Sequence, residues 1–234
     1  MGTAVQHAAA KSYGLPRTVV DVTVDGDGSL VVTEQITFSF DGGFSGAYRD
    51  IPIRAGERVD EVSVSEGGSA YAPGASTVLG STGDPGTFGV ADLGSRVRIV
   101  WHYRAADEDR TFPLRYRMDG LAVAYDDVVD VNLKVWGDEW SVGLDRIDAR
   151  MELPPADLAP GDVRVWGHPA SVRGVVGLGA DDVSPDLVAE GVPARQWVEF
   201  RVVFPRSALA STAGATVRPG DCLLYTSDAA DELT

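Results

Sequence analysis

The stretch Tyr125 to Trp140, YDDVVDVNLKVWGDEW, holds the chain's densest set of groups able to do chemistry. Asp126, Asp127, Asp138 and Glu139 are carboxylates of the kind that a glycoside hydrolase or a Ca2+ site uses. Tyr125, Trp136 and Trp140 are rings that can stack on a sugar. Neighbouring strand residues point to opposite faces, so Asp126 and Asp127 do not form a catalytic pair by themselves. Asp25-Gly-Asp27-Gly is a second oxygen-rich stretch, and it reads equally well as a hairpin turn. Ca2+ is the one cofactor these carboxylates suggest; no other is expected.

Other catalytic constellations find little support. The histidines are His7, His102 and His168; they lie in the leader, on a regular strand and before Pro169, and no G-x-S-x-G elbow accompanies them. Their spacing does not suggest zinc, and Cys222 is the single cysteine, so neither an intrachain disulfide nor a thiolate cluster forms. Gly42-Gly43-Phe44-Ser45-Gly46 lacks the Lys-Ser/Thr of a phosphate-binding loop. The expectation is a non-catalytic protein.

The elements that must position these groups are strands. In the central stretch Val129, Val131, Leu133 and Val135 fall on one face, against Asp130, Asn132, Lys134 and Trp136 on the other. Val20, Val22 and Val24 alternate in the same way, and Gly26-Asp27-Gly28-Ser29 turns the chain into a second strand, Leu30 to Phe40. Glu34 shares the apolar face of that strand. A buried lone carboxylate costs several kcal/mol, roughly, so a basic partner is expected, and Arg49 is the nearest candidate; a bulge that turns Glu34 outward and a ligand-facing carboxylate are the alternatives. Arg96 to Ala105 and Arg110 to Met118 read as adjacent strands whose outward arginines, Arg98, Arg104, Arg115 and Arg117, make a basic stripe with a solvated His102. That stripe would neutralise the carboxylates near Tyr125 to Asp130 or accept an anionic partner.

Further strands recur to Phe204 between Gly, Pro and Asp turns, and no stretch sustains a 3.6-residue period. The fold class expected is all-β, with little or no helix: two immunoglobulin-like β-sandwich subdomains in tandem, 17–125 and 126–206. Residues 1–16 are expected as a leader or signal-peptide remnant, 207–221 as a linker, and 222–234 as a non-native tail whose wording resembles adapter read-through. The formal charge of −15 repels nucleic-acid phosphates, which argues against nucleic acid as a partner. No apolar run approaches the roughly 20 residues that cross a bilayer.

Three segments, SYGLP with VTVDGDGSLVVTEQITFSFDGGFSGAYRDIPI, VWHYRA with RTFPLRYRM, and VAYDDVVDVNLKVWGDEW with RIDARMELP, carry a family resemblance. Over Ser12 to Pro205 the chain resembles the N-terminal extracytoplasmic region of bacterial predicted membrane proteins, domain of unknown function 2207. The resemblance implies an export signal, this β-rich ectodomain and then transmembrane helices. The chain is therefore expected to be a fragment that belongs on the extracytoplasmic side of the cell membrane, attached only through helices outside this sequence. The expected role is binding or scaffolding toward a protein or glycan at the cell surface. The candidate surface is Arg49, Tyr125, Asp126, Asp127, Trp136, Asp138, Glu139 and Trp140. The alternative is a carbohydrate-active or calcium-dependent enzyme domain using the carboxylates near Asp126 and Asp138.

Overall fold

The computed structural model describes residues 11–222. The first ten residues of the expected leader, and the expected tail from residue 223 onward, lie outside the described residues. Along the chain run β1 (Ser12–Val24), β2 (Leu30–Asp41), β3 (Gly43–Pro52), β4 (Arg58–Glu66), β5 (Ser69–Ala70), β6 (Ala72–Pro73), β7 (Thr87–Asp92), β8 (Arg96–Ala106) and β9 (Asp109–Asp119). There follow β10 (Val123–Ala124), β11 (Val128–Trp136), β12 (Leu144–Glu152), β13 (Arg164–His168), β14 (Gly174–Leu178), β15 (Pro185–Val192), β16 (Val198–Pro205) and β17 (Thr216–Val217). Among the described residues the one helical element is a 3-10 turn, Arg206–Ala208. The fold is all-β.

Three sheets are built from these strands. The largest has eight, in the order β14-β15-β12-β1-β2-β9-β4-β5; a second has five, β13-β16-β11-β10-β17; a third has four, β3-β8-β7-β6. β1 starts at Ser12 and buries Leu15, so the end of the expected leader is already strand. The β1–β2 hairpin follows the alternation of its valines, and its turn is closed by the Gly28 amide donating to the Asp25 carbonyl at 2.9 Å and by Gly28 at φ +85°. β1 also pairs in parallel with β12, Val20 opposite Ala149. The stretches expected as two tandem sandwiches thus contribute to one sheet that crosses residue 125, and a single hydrophobic cluster runs through all three sheets.

Two readings of the sequence are corrected here. β8 and β9 do not pair: β8 lies between β3 and β7, whereas β9 lies between β2 and β4. Both strands turn their apolar faces to the same core, where Trp101 and Tyr103 meet Phe112 at ring distances of 5.7 and 4.6 Å. Their arginines therefore form no common stripe. His102 is buried, because the loop before β7 covers it; a Cβ on Gly83 would come within 2.3 Å of the imidazole.

The segment expected as a linker is packed against the hairpin turn. Leu209 is buried, the amides of Ala210 and Ser211 donate to the Gly26 carbonyl at 2.8 and 3.0 Å, and that of Gly214 donates to the Asp27 carbonyl at 2.9 Å. β17 then pairs in parallel with β10. Small residues that read as a loose connection serve close approach instead: a Cβ on Gly214 would lie 2.7 Å from the Ser29 nitrogen.

Candidate functional site

The candidate residues fall into two groups, at opposite ends of β11. That strand has nine residues, which at about 3.3 Å each span roughly 25–30 Å. Tyr125, Asp126 and Asp127 precede it; Trp136, Asp138, Glu139 and Trp140 close it or follow it.

The first group ties down the chain's later part. An Asp126 carboxylate oxygen accepts from the Gly220 amide at 2.8 Å, and Asp127 accepts from the Cys222 amide at 2.9 Å. The Asp127 carbonyl accepts from the Arg206 amide at 2.9 Å. Tyr125 packs with the small cluster of Val128, Val203 and Cys222. These carboxylates are occupied as anchors for neighbouring backbone.

The second group is joined by Arg49 from β3. A bulge between Lys134 and Trp136 shifts the register of β11 against β16, so Val135 and Trp136 are buried in succession. Trp136 therefore points into the core rather than outward with Lys134. It stacks on Trp140 with ring centroids 4.7 Å apart and planes at 5°, and it has no free face for a sugar. Asp138 is exposed and lies 3.6 Å from Lys134.

The buried pair inferred from the apolar face of β2 is present. The Arg49 Nε and Nη2 donate to Glu34 Oε2 and Oε1 at 2.8 and 3.1 Å, the Tyr116 hydroxyl donates to Glu34 Oε1 at 2.7 Å, and Arg49 Nη1 donates to the Asp50 carbonyl at 2.6 Å. Burial works against the Arg49 charge, and Glu34 more than offsets it by attraction and hydrogen bonding, so the guanidinium is held above its ordinary range. Burial, followed by Glu34, pushes the Tyr116 hydroxyl well above the usual tyrosine value. Arg49 also lies 3.7 Å from Glu139 Oε2.

Above this pair opens a cavity of about 300 Å³ lined by Tyr13, Tyr48, Asp50, Ser141 and Arg195 together with Arg49, Glu139 and Trp140. Asp50 holds Arg98 bidentately at 2.7 Å and Arg96 at 3.2 Å. Arg195 stands at φ +63°, and its amide donates to the Trp140 carbonyl at 3.0 Å. An apolar recess of about 120 Å³, lined by Phe38, Phe40 and Phe44 among others, shares Tyr13, Tyr48 and Trp140 with the cavity. Tyr13, Tyr48, Asp50, Ser141 and Arg195 were not singled out from sequence. Tyr48 stands next to Arg49, which was its one available signal; nothing local marks Arg195.

The Asp25 and Asp27 carboxylates close on Arg117, at 2.8 and 2.9 Å, and Ser29 donates to Asp27. Burial opposes the Asp27 charge, but the Ser29 hydroxyl and amide, with Arg117, hold its carboxyl below the usual range. Asp130 is bidentate with Arg201 at 3.0 and 2.7 Å. Among the described residues no three His, Cys, Asp or Glu side chains converge as a metal site, and no helix is long and apolar enough to cross a membrane.

Solved structures with a similar course of the chain include the M1 zinc metallopeptidase from Deinococcus radiodurans, at TM-score 0.42 and 11% identity over 82% of this chain and 42% of that one. A putative nutrient binding protein from Legionella pneumophila subsp. pneumophila str. Philadelphia 1 aligns at TM-score 0.46 and 11% identity, over 81% of this chain and 66% of that one. Yeast LTA4 hydrolase in complex with bestatin aligns at TM-score 0.44 and 12% identity, over 82% and 28%. The chain thus spans about two fifths of the length of the first of these. No curated protein sequence matches it. The family model described as "Predicted membrane protein (DUF2207) N-terminal domain" matches residues 14–204, and the chain belongs to that family.

Proposed function

We propose that this domain is a non-catalytic recognition module of a membrane-anchored bacterial protein, working on the extracytoplasmic side, with the cleft of Tyr48, Glu139 and Arg195 as its binding face. The observation that carries this reading is how the carboxylates are used. Asp126 and Asp127 hold backbone amides, Asp130 holds Arg201, and Asp25 and Asp27 hold Arg117. Acid–base cleavage of a glycosidic bond needs two carboxyl groups roughly 5–9.5 Å apart across one cleft. The carboxylates near Asp126 and those near Asp138 stand at the two ends of β11, and of the two that line the cleft Asp50 is held by Arg98 and Arg96 while Glu139 lies against Arg49.

The test uses the intact membrane-anchored protein in cells. A photo-crosslinking amino acid replaces Tyr48, which is 40% exposed at the cleft, or Val175 on β14, which is 75% exposed. A discrete adduct from position 48, blocked by an added membrane-impermeant competitor and missing from position 175, is the expected result. Turnover by the purified chain on a panel of glycoside and ester substrates, abolished by Asp138→Asn alone, would refute the reading.

A further inference from the structure

We propose that the cleft takes a zwitterionic α-amino acid with a large apolar side chain: its ammonium on Glu139, its carboxylate on Arg195, its side chain in the recess beside Tyr13. This rests on the reading of the cleft as the recognition face and names the ligand for it.

Charge balance gives the first argument. Below the cavity two carboxylates, Glu34 and Glu139, face one guanidinium, Arg49, whose two donors at 2.8 and 3.1 Å go to Glu34. Within that trio Glu139 has no donor of its own, and it is the more accessible partner: its side chain is 30% exposed, against 2% for Glu34. The Glu139 Oε2 atom is sealed without a hydrogen-bond donor, 3.7 Å from Arg49. A cation arriving from the cavity meets the exposed part of the same carboxylate and completes this set.

Arg195 provides the opposite charge. It lines the same cavity and, among the described residues, has no carboxylate partner, whereas Arg96 and Arg98 nearby both close on Asp50. Its backbone occupies the left-handed region at φ +63° and is pinned by the bond to the Trp140 carbonyl, which fixes where the side chain starts. Trp140 is 8% exposed, and its indole N–H is buried without an acceptor.

The recess sets the side chain. Phe38, Phe40 and Phe44 line it, and it adjoins the polar cavity through Tyr13, Tyr48 and Trp140. Cavities of about 300 and 120 Å³ lie at the small end of ligand sites, which run roughly 300–1,000 Å³. That suits one amino acid rather than an oligomer.

Calorimetry and Trp emission of the purified chain, titrated with L-phenylalanine, L-leucine, phenylalaninamide, N-acetyl-L-phenylalanine and L-alanine, test the proposal. Phenylalanine and leucine are expected to bind saturably at one site, and the amide and the N-acetyl compound about tenfold or more weakly, since each lacks one charge. Arg195→Gln, at an exposed loop position that leaves the core intact, should bring phenylalanine down to the level of its amide. Glu139→Gln should erase the penalty for N-acetylation. Equal affinity for phenylalanine and its amide overturns the proposal. If none of the five binds while the Tyr48 adduct persists, the amino-acid ligand is discarded and the recognition face stands. If the adduct is missing as well, both fall.

Discussion

Replacing Arg49 by Met removes the cation from the most buried ion pair among the described residues and leaves a side chain of similar length. Glu34, 1% exposed, keeps one donor, the Tyr116 hydroxyl at 2.7 Å, and loses the two guanidinium bonds at 2.8 and 3.1 Å. Removing one partner of a buried pair costs about 3–5 kcal/mol. For a domain of this size roughly 2–4 °C of Tm accompanies each kcal/mol, so Arg49→Met should lower Tm by roughly 6–20 °C. The double variant Glu34→Met with Arg49→Met buries no charge at that position and should recover most of the loss, giving a coupling of about 2 kcal/mol or more in a double-mutant cycle. Urea unfolding of wild type, both single variants and the double variant measures each corner. An Arg49→Met loss under about 1 kcal/mol, or a double-variant loss equal to the sum of the singles, refutes the assignment of this pair as the strained ionic core of the fold.

Three further outcomes follow from other parts of the molecule. Glu66 is held below the usual carboxylate range first by its bond to Arg110, against the cost of burial, and Asp148 chiefly by Arg146; the unfolded chain therefore binds their protons more tightly than the native state does. Their contribution is fully present above about pH 5 and is lost as pH falls through the lower native values, so urea midpoints should decline below about pH 5, and Arg110→Gln should flatten that decline. Trp136→Phe should abolish the near-ultraviolet circular-dichroism signal of the parallel indoles, and Trp136→Ala should cost about 3–5 kcal/mol by chemical denaturation. Gly214→Ala forces a Cβ to within 2.7 Å of the Ser29 nitrogen and should cost about 1–3 kcal/mol, whereas the same change at Gly43, where nothing lies within 4 Å, should be close to neutral.

Alternation revealed faces, because the side-chain period of a strand is local. The valines of β1, the inward set of β9 and Glu34 on the buried side of β2 all sit as the pattern places them. Even the Arg49 partner of Glu34 followed, since a buried charge demands its opposite. What alternation leaves open is which sheet a strand joins. β8 and β9 present apolar faces to one core from different layers, and a hairpin between them would have the same pattern. The outward placement of Trp136 failed for a local reason, the bulge after Lys134, which inserts a residue without a mark in composition. The candidate site was legible only in part. Arg49, Glu139 and Trp140 stood out by type; Tyr13 lies 36 residues from Arg49 and Arg195 lies 55 from Trp140, separations that no neighbouring residue announces.

The parallel pairing of β1 with β12 sets an order of assembly. β1 and β2 close on each other as soon as residue 41 is available, but the far flank of β1 has no partner until Leu144–Glu152 has been delivered. Over that interval a row of amide and carbonyl groups on β1 stays bare, the kind of margin on which nascent chains stick to one another. Delivery of the polypeptide from its N-terminus thus favours a holding factor that shields this margin for the first hundred or so residues of emergence, and release should coincide with the docking of β12.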